Sequence, residues 1–270
     1  MKLAIPFLSV LLTIVSLNVV LLAQESISSD ENIQVIVELF TSEGCSDCPS
    51  ADLLLSDLYK SQPLDGYKII PLEFHVDYWN RLGWNDPFSE EKFSDRQRAY
   101  VKVMNLSSTY TPQMIVQGEI EFVGSERKEA LDAIRRSQNN LTLTFDNFIF
   151  SSIDSIRSII VDIQVTPVKP FESSSYSLYT AITEDGLTTN VPLGENKGAT
   201  LNHDGVVRVI SPGMSIEVLT DNSVMYPVEI SFEIVGKLDN LNFIAFIQTS
   251  NHGQIAGAVS RPLAEMIAGN

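Results

Sequence analysis

The alternation of apolar and polar positions divides the chain near residue 140. Before it, strand-like and helix-like runs alternate; after it, strand-like runs stand alone. Ile33 to Phe40 is a β-branched run closed by Thr41-Ser42-Glu43-Gly44, which predicts a buried strand. Pro49 suits a first helical turn, and Ala51, Leu54, Leu55 and Leu58 recur at helical spacing. Cys45-Ser46-Asp47-Cys48 therefore falls where strand gives way to helix. Tyr67 to Trp79 predicts a second strand, and the intervening helix suffices for a parallel βαβ crossover. After a loop with Gly83, Trp84 and Pro87, Ser89 to Met104 reads as a helix carrying Phe93, Gln97, Tyr100, Val101 and Met104 on one side. Thr111 to Val116 and Glu119 to Val123 flank the hairpin signal Gln117-Gly118, and Ser125 to Ser137 predicts a closing helix.

From Leu141 the helical period is gone. Ser158 to Val165, Tyr176 to Ile182, Val206 to Ile210, Val228 to Ile234 and Leu241 to Thr249 read as strands between turns such as Asp185-Gly186 and Pro212-Gly213. The first half follows the thioredoxin order of elements, with a dithiol after the first strand. The expectation is an α/β thioredoxin-like N-terminal domain over residues 31–140, followed by an all-β antiparallel sandwich-like domain over 141–265.

Composition changes the picture in two ways. Met1-Lys2 followed by the apolar run Leu3 to Ala23 predicts a signal peptide or N-terminal membrane anchor over 1–25, and hence a periplasmic or secreted protein of the cell envelope. A formal charge of −16 without any basic run excludes nucleic acid as an expected partner. The chain has 2 cysteines, three positions apart, so a disulfide between them closes too short a loop to serve chiefly as a folding staple.

The chemistry these residues support is thiol–disulfide exchange. A cysteine at a helix N-terminus has unpaired backbone N–H groups beside it, which favour the thiolate. Cys45 is expected to be the more exposed nucleophile and Cys48 the resolving thiol, with Asp47 opposing the effect slightly. Two cysteines cannot build a four-thiolate zinc site, and Pro49 stands where c-type haem attachment needs histidine. Thr111-Pro112, opening the third strand, is expected to be cis, to face the dithiol and to leave backbone free for an extended substrate, against an ordinary trans proline starting an edge strand. Glu38 is a candidate proton relay to Cys48, against an outward-facing strand position. His75, Asp77, Trp79 and Trp84, with Tyr110 beside Thr111, are candidate substrate-binding residues, against the plainer reading of core aromatics. The expected partners are protein or peptide thiols and disulfides, with no resident cofactor. Two alternatives stay open: a copper-handling module using Cys45, Cys48 and His75, and a non-catalytic binding protein with a structural disulfide. His203, Asp204 and Arg208 form a polar stretch that a hydrogen-bonded loop accounts for, and His252 reads as surface.

Several segments together carry a family resemblance. They are Val37 to Pro49 around the cysteines, Phe74-His75-Val76-Asp77-Tyr78-Trp79 with Leu82-Gly83-Trp84, Arg96 to Tyr100, Tyr110-Thr111-Pro112-Gln113, Phe122 to Ser125, and Glu195-Asn196 through His203 to Arg208. In these the chain resembles the secreted bacterial family called domain of unknown function 1223. The resemblance implies export and a thioredoxin-like fold, and it implies no substrate.

Overall fold

The structure, a computed structural model, describes residues 32–168, 175–218, 222–233 and 236–269. The segment 1–25, read as an export signal or anchor, lies outside these residues. Among the described residues no helix is long and apolar enough to cross a membrane.

The first half runs β1 (Ile33–Thr41), α1 (Pro49–Ser61), β2 (Tyr67–His75), a 3-10 turn (Asp77–Leu82), α2 (Glu91–Val103), β3 (Gln113–Val116), β4 (Ile120–Val123) and α3 (Arg127–Arg136). The second half continues with β5 (Leu141–Ile153), β6 (Ile156–Pro167), β7 (Ser175–Glu184), β8 (Leu187–Asn190), β9 (Thr200–His203), β10 (Val206–Ile210) and β11 (Met214–Glu217). It ends with β12 (Val224–Glu233), β13 (Leu241–Thr249), β14 (Ile255–Pro262) and α4 (Leu263–Ala268).

β1 and β2 pair in parallel from Ile33 opposite Tyr67 to Thr41 opposite His75. Successive side chains of a strand point to opposite faces, so the two strands present two different surfaces. Ile36, Phe40, Ile70, Leu72 and Phe74 pack on one face with Phe93 and Tyr100 of α2. Val35, Val37, Leu39 and Ile69 pack on the other with Ala51, Leu54, Leu55 and Leu58 of α1 and Ala130, Ala133 and Ile134 of α3. Burial on both faces explains why these strands read as near-continuous apolar runs.

The expected two-domain architecture is overturned. The chain is mostly β, and a single nine-stranded mixed sheet joins the two halves in the order β14-β13-β7-β10-β2-β1-β3-β4, with β11 paired to β7. It is not a helix-flanked thioredoxin domain followed by a separate sandwich. The reason lies at β2. Its free edge is taken by β10 in parallel, with Val206 opposite Glu73 and the Glu73 N–H donating to the Gly205 carbonyl at 2.9 Å. Gly205 makes the approach possible, because a Cβ there would stand 2.6 Å from Pro71 Cγ and its φ is +74°. A strand edge with a full row of unpaired N–H and C=O groups recruits another strand, and the β-branched run Val206 to Ile210 supplies it. A three-stranded sheet, β12-β6-β5, packs its apolar face on β7 and β13 through Ile159, Val161, Ile163, Leu178, Phe243 and Ala245. The hairpin β8-β9 projects over the first half, where β9 meets α1.

Candidate functional site

Cys45 and Cys48 occupy the turn between β1 and α1 as free thiols. The Cys45 thiol donates to the Thr111 carbonyl at 3.8 Å. The Thr111–Pro112 peptide is cis, and the Thr111 hydroxyl accepts from Trp79 Nε1 at 2.8 Å. Cys45, Thr111, Pro112 and Trp79 are thus brought together. Cys45 differs from its expected exposure, since only 2% of its surface meets solvent. The segment between β8 and β9 explains part of this. The Asn196 carboxamide donates to the Glu43 and Cys45 carbonyls at 2.9 and 2.8 Å, and the Ser46 N–H donates to Glu195 Oε2 at 3.1 Å. β9, which follows that segment, packs against α1.

The two thiols are electrostatically unequal. A hydrogen bond from Cys48 stabilises the Cys45 thiolate and, with the Thr111 side chain and the backbone N–H groups of Asp47 and Cys48, outweighs burial and lowers the Cys45 pKa to about 7. Burial pushes the Cys48 thiol up, and the bond to Cys45 and the charge of Asp52 push in the same direction. Thiolate character is concentrated on Cys45.

Glu38 belongs to the other face of the sheet, which corrects its reading as a relay to Cys48. Strand alternation places it with Ile36 and Phe40, opposite α1. There Arg96 donates to both its oxygens, at 2.6 and 2.9 Å, and the Tyr100 hydroxyl donates at 2.5 Å. Gln248 of β13 completes this network by donating to Tyr100 Oη at 2.8 Å. Two further residues tie loops rather than meeting the thiols. Asp77 accepts from Ser94 Oγ at 2.5 Å, and the Tyr110 hydroxyl donates to Glu121 at 2.6 Å. His252 is half-buried, with its ring 5.8 Å from that of Tyr100.

On the α1 face, a second constellation lies behind the dithiol. Glu73 and His75 share the β2 face that α1 covers, and both are fully buried. His203, at the end of β9, is equally buried, and its ring lies 4.9 Å from that of His75. His75 Nδ1 is 2.7 Å from Asp86 Oδ2 and His75 Nε2 is 3.3 Å from Glu73 Oε1. His203 Nδ1 is 2.7 Å from the same Glu73 oxygen, and His203 Nε2 is 3.4 Å from Glu43 Oε1. Asp52, on the first turn of α1, accepts from Thr41 Oγ1 at 2.6 Å and leaves Oδ2 4.0 Å from His203 Nδ1. Trp84 Nε1 donates to Glu43 Oε2 at 2.8 Å.

Burial alone would strip both imidazoles of their protons. Asp86 and Glu73 outweigh it at His75, raising the pKa to about 9, and Glu73, Glu43 and Asp52 do so at His203, raising it to about 11. Burial, reinforced by Glu73, pushes the Asp52 carboxyl up to about 7. Burial also opposes ionisation of Glu73 and Asp86, yet the facing imidazoles hold both below their usual values.

Among the described residues, Glu73, His75 and His203 are the group whose candidate metal-ligand atoms all lie within 4.8 Å of one another. His75 therefore groups with His203 and Glu73 and not with the thiols. Sequence reasoning missed Glu43, Asp52, Glu73 and Asp86, and read His203 as part of a hydrogen-bonded loop. One signal was present: Glu73 and His75 stand two apart on one face, at the end of a strand whose run Ile69 to Phe74 is otherwise apolar.

The family described as "Protein of unknown function (DUF1223)" matches residues 36–248. No functionally curated protein matches the chain. Among solved structures, protein AGR_C_4864 from Agrobacterium tumefaciens is similar at 22% identity and a TM-score of 0.60, over 85% of this chain and 94% of that one. HBP35 of Porphyromonas gingivalis is similar at 16% identity and a TM-score of 0.61, over 87% of this chain and 76% of that one. Both likenesses concern the fold, and both extend across the two halves.

Proposed function

This chain belongs to the DUF1223 family of proteins of unknown function, and we propose that it carries out thiol–disulfide exchange on protein or peptide partners through Cys45 and Cys48. The observation that carries the reading is the inequality of the two thiols. Cys45, its thiolate stabilised by Cys48, the Thr111 side chain and the backbone N–H groups of Asp47 and Cys48, ionises near pH 7, while Cys48 is held protonated. A thiol with a pKa near ambient pH is the best attacking group in exchange.

In the reducing direction, the Cys45 thiolate attacks one sulfur of a substrate disulfide, forming a mixed disulfide and releasing one substrate thiolate. Cys48 then gives up its proton and attacks Cys45 Sγ, which releases the second substrate thiol and leaves the Cys45–Cys48 disulfide. Two electrons pass from the dithiol to the substrate, and the reverse sequence oxidises a substrate dithiol. A partner reaches Cys45 by displacing the Glu195–Asn196 segment, which three hydrogen bonds tie to the dithiol turn. Export, inferred from the apolar run Leu3 to Ala23, fits this role because disulfides persist outside the cytoplasm.

Trapping tests the proposal. Exposed to glutathione disulfide, the Cys48→Ser variant should accumulate a mixed disulfide at Cys45, whereas Cys45→Ser should accumulate almost none at Cys48. Equal labelling of the two variants, or labelling of neither in the folded protein, would contradict the assignment.

A further inference from the structure

We propose that Glu73, His75 and His203 bind one divalent transition-metal ion of the zinc class in the buried site behind the dithiol. The site does not depend on the exchange reading, since no thiol takes part.

Three observations point to it. The first is the donor set. Two imidazoles and a carboxylate suit borderline divalent ions, zinc foremost, and here they come from a rigid strand and the end of a hairpin packed on α1. His75 Nε2 at 3.3 Å and His203 Nδ1 at 2.7 Å flank the same Glu73 oxygen, so two nitrogens and an oxygen surround one point. Protein ligands sit about 2.0–2.2 Å from zinc, which these separations accommodate with small side-chain adjustments.

The second observation is the arrangement behind the ligands. A metal-bound histidine almost always offers its other ring nitrogen to a carboxylate or carbonyl, which fixes the tautomer and orients the ring. The His75 ring is set this way by a hydrogen bond to Asp86, and the His203 ring faces Glu43 without one. His75 Nδ1 lies 2.7 Å from Asp86, and His203 Nε2 lies 3.4 Å from Glu43. Asp86 is itself fixed by N–H groups of Glu43 and Phe88, and Glu43 by Trp84.

The third is what remains unpaired. His75 Nε2, His203 Nε2, Glu73 Oε2, Asp52 Oδ2 and Glu43 Oε1 are buried without a hydrogen-bond partner. A buried polar atom left unpaired carries its full desolvation cost, which a ligand can relieve. The cluster also sets four carboxylates, of Glu43, Asp52, Glu73 and Asp86, against two imidazoles. Bound through neutral imidazoles, a divalent cation would take the place of the two imidazolium protons among these carboxylates, and Asp52 Oδ2, 4.0 Å from His203 Nδ1, is a further oxygen donor in the cluster.

The test uses the full chain stripped with a chelator and dialysed against Zn²⁺ or Co²⁺. The expected result is one equivalent of metal per chain, retained by the Cys45→Ser/Cys48→Ser double variant and lost in His203→Gln. Bound Co²⁺ should show visible d–d absorption without a sulfur-to-cobalt charge-transfer band. Asp86→Asn and Glu43→Gln leave the ligands in place, so they keep the test sharp if His203→Gln does not fold. Each should weaken binding about 10–100-fold. Substoichiometric metal, a thiolate charge-transfer band, or affinity unchanged in the Asp86 and Glu43 variants would overturn the site. Failure of the exchange reading would show instead in the glutathione trapping, which needs no metal.

Discussion

The two faces of the β1–β2 pair both bury charge, and they do so in opposite ways. On the α2 face, Glu38 is held by Arg96 and Tyr100, with Gln248 closing the network from the second half of the chain. Donors and acceptors are matched, and the Arg96 guanidinium also lies over the rings of Phe74, Tyr100, Tyr179 and Phe246. On the α1 face, two imidazoles meet four carboxylates, and several buried atoms have no partner. A matched network fastens two halves of a sheet. An unmatched one, beside two unequal thiols, is where a ligand or reaction is to be sought.

The largest expected effect breaks the fastening. Arg96→Ala leaves Glu38 buried and unpaired, so denaturant unfolding should show a loss of about 3–5 kcal/mol. A loss under about 1 kcal/mol would mean that the Glu38 network does not hold the halves together. The opposite face should respond with the opposite sign. In metal-stripped protein, Asp52→Asn removes one surplus carboxylate and keeps an acceptor for Thr41, so stability should rise by about 1 kcal/mol in the same measurement.

Next comes a pH profile. The Cys45 thiolate fraction, followed by its absorbance or its alkylation rate, should rise with pH through a midpoint of about 7. The sign follows from the lowered pKa: above the midpoint Cys45 is thiolate, below it the thiol is protonated and slow to react. Glu38→Gln should leave that midpoint in place while destabilising the fold, because Glu38 lies across the sheet from α1. A shifted midpoint would restore Glu38 as a partner of the dithiol. The smallest effect concerns the covering segment. Asn196→Ala removes two hydrogen bonds to the dithiol turn, and alkylation of Cys45 should quicken by about tenfold or less, a bond's worth of about 1 kcal/mol. An unchanged rate would show that this segment does not limit access.

Much of the local structure was legible in the sequence. The Gln117-Gly118 signal marks the β3-β4 hairpin, where both residues have positive φ, and Ala51, Leu54, Leu55 and Leu58 are the buried residues their helical spacing implies. The architecture was not legible. Periodicity reports which face of an element is apolar, but it says nothing of which distant strand will take the free edge of β2. The β10 run Val206 to Ile210 reads alike as one strand of a separate sandwich and as a partner of β2; Gly205, which admits the close approach to Pro71, was the only local hint. The dithiol was legible because its parts are three residues apart. The buried cluster was not, because Asp52, Glu73 and His203 meet only once that long-range pairing has formed.

The most direct test of the account is the reduction potential of the Cys45–Cys48 pair, measured in a glutathione redox buffer by following thiol content. A value between about −120 and −270 mV, the span of known exchange catalysts, is the predicted result. A value below about −300 mV would mark the bond as structural and contradict the exchange function.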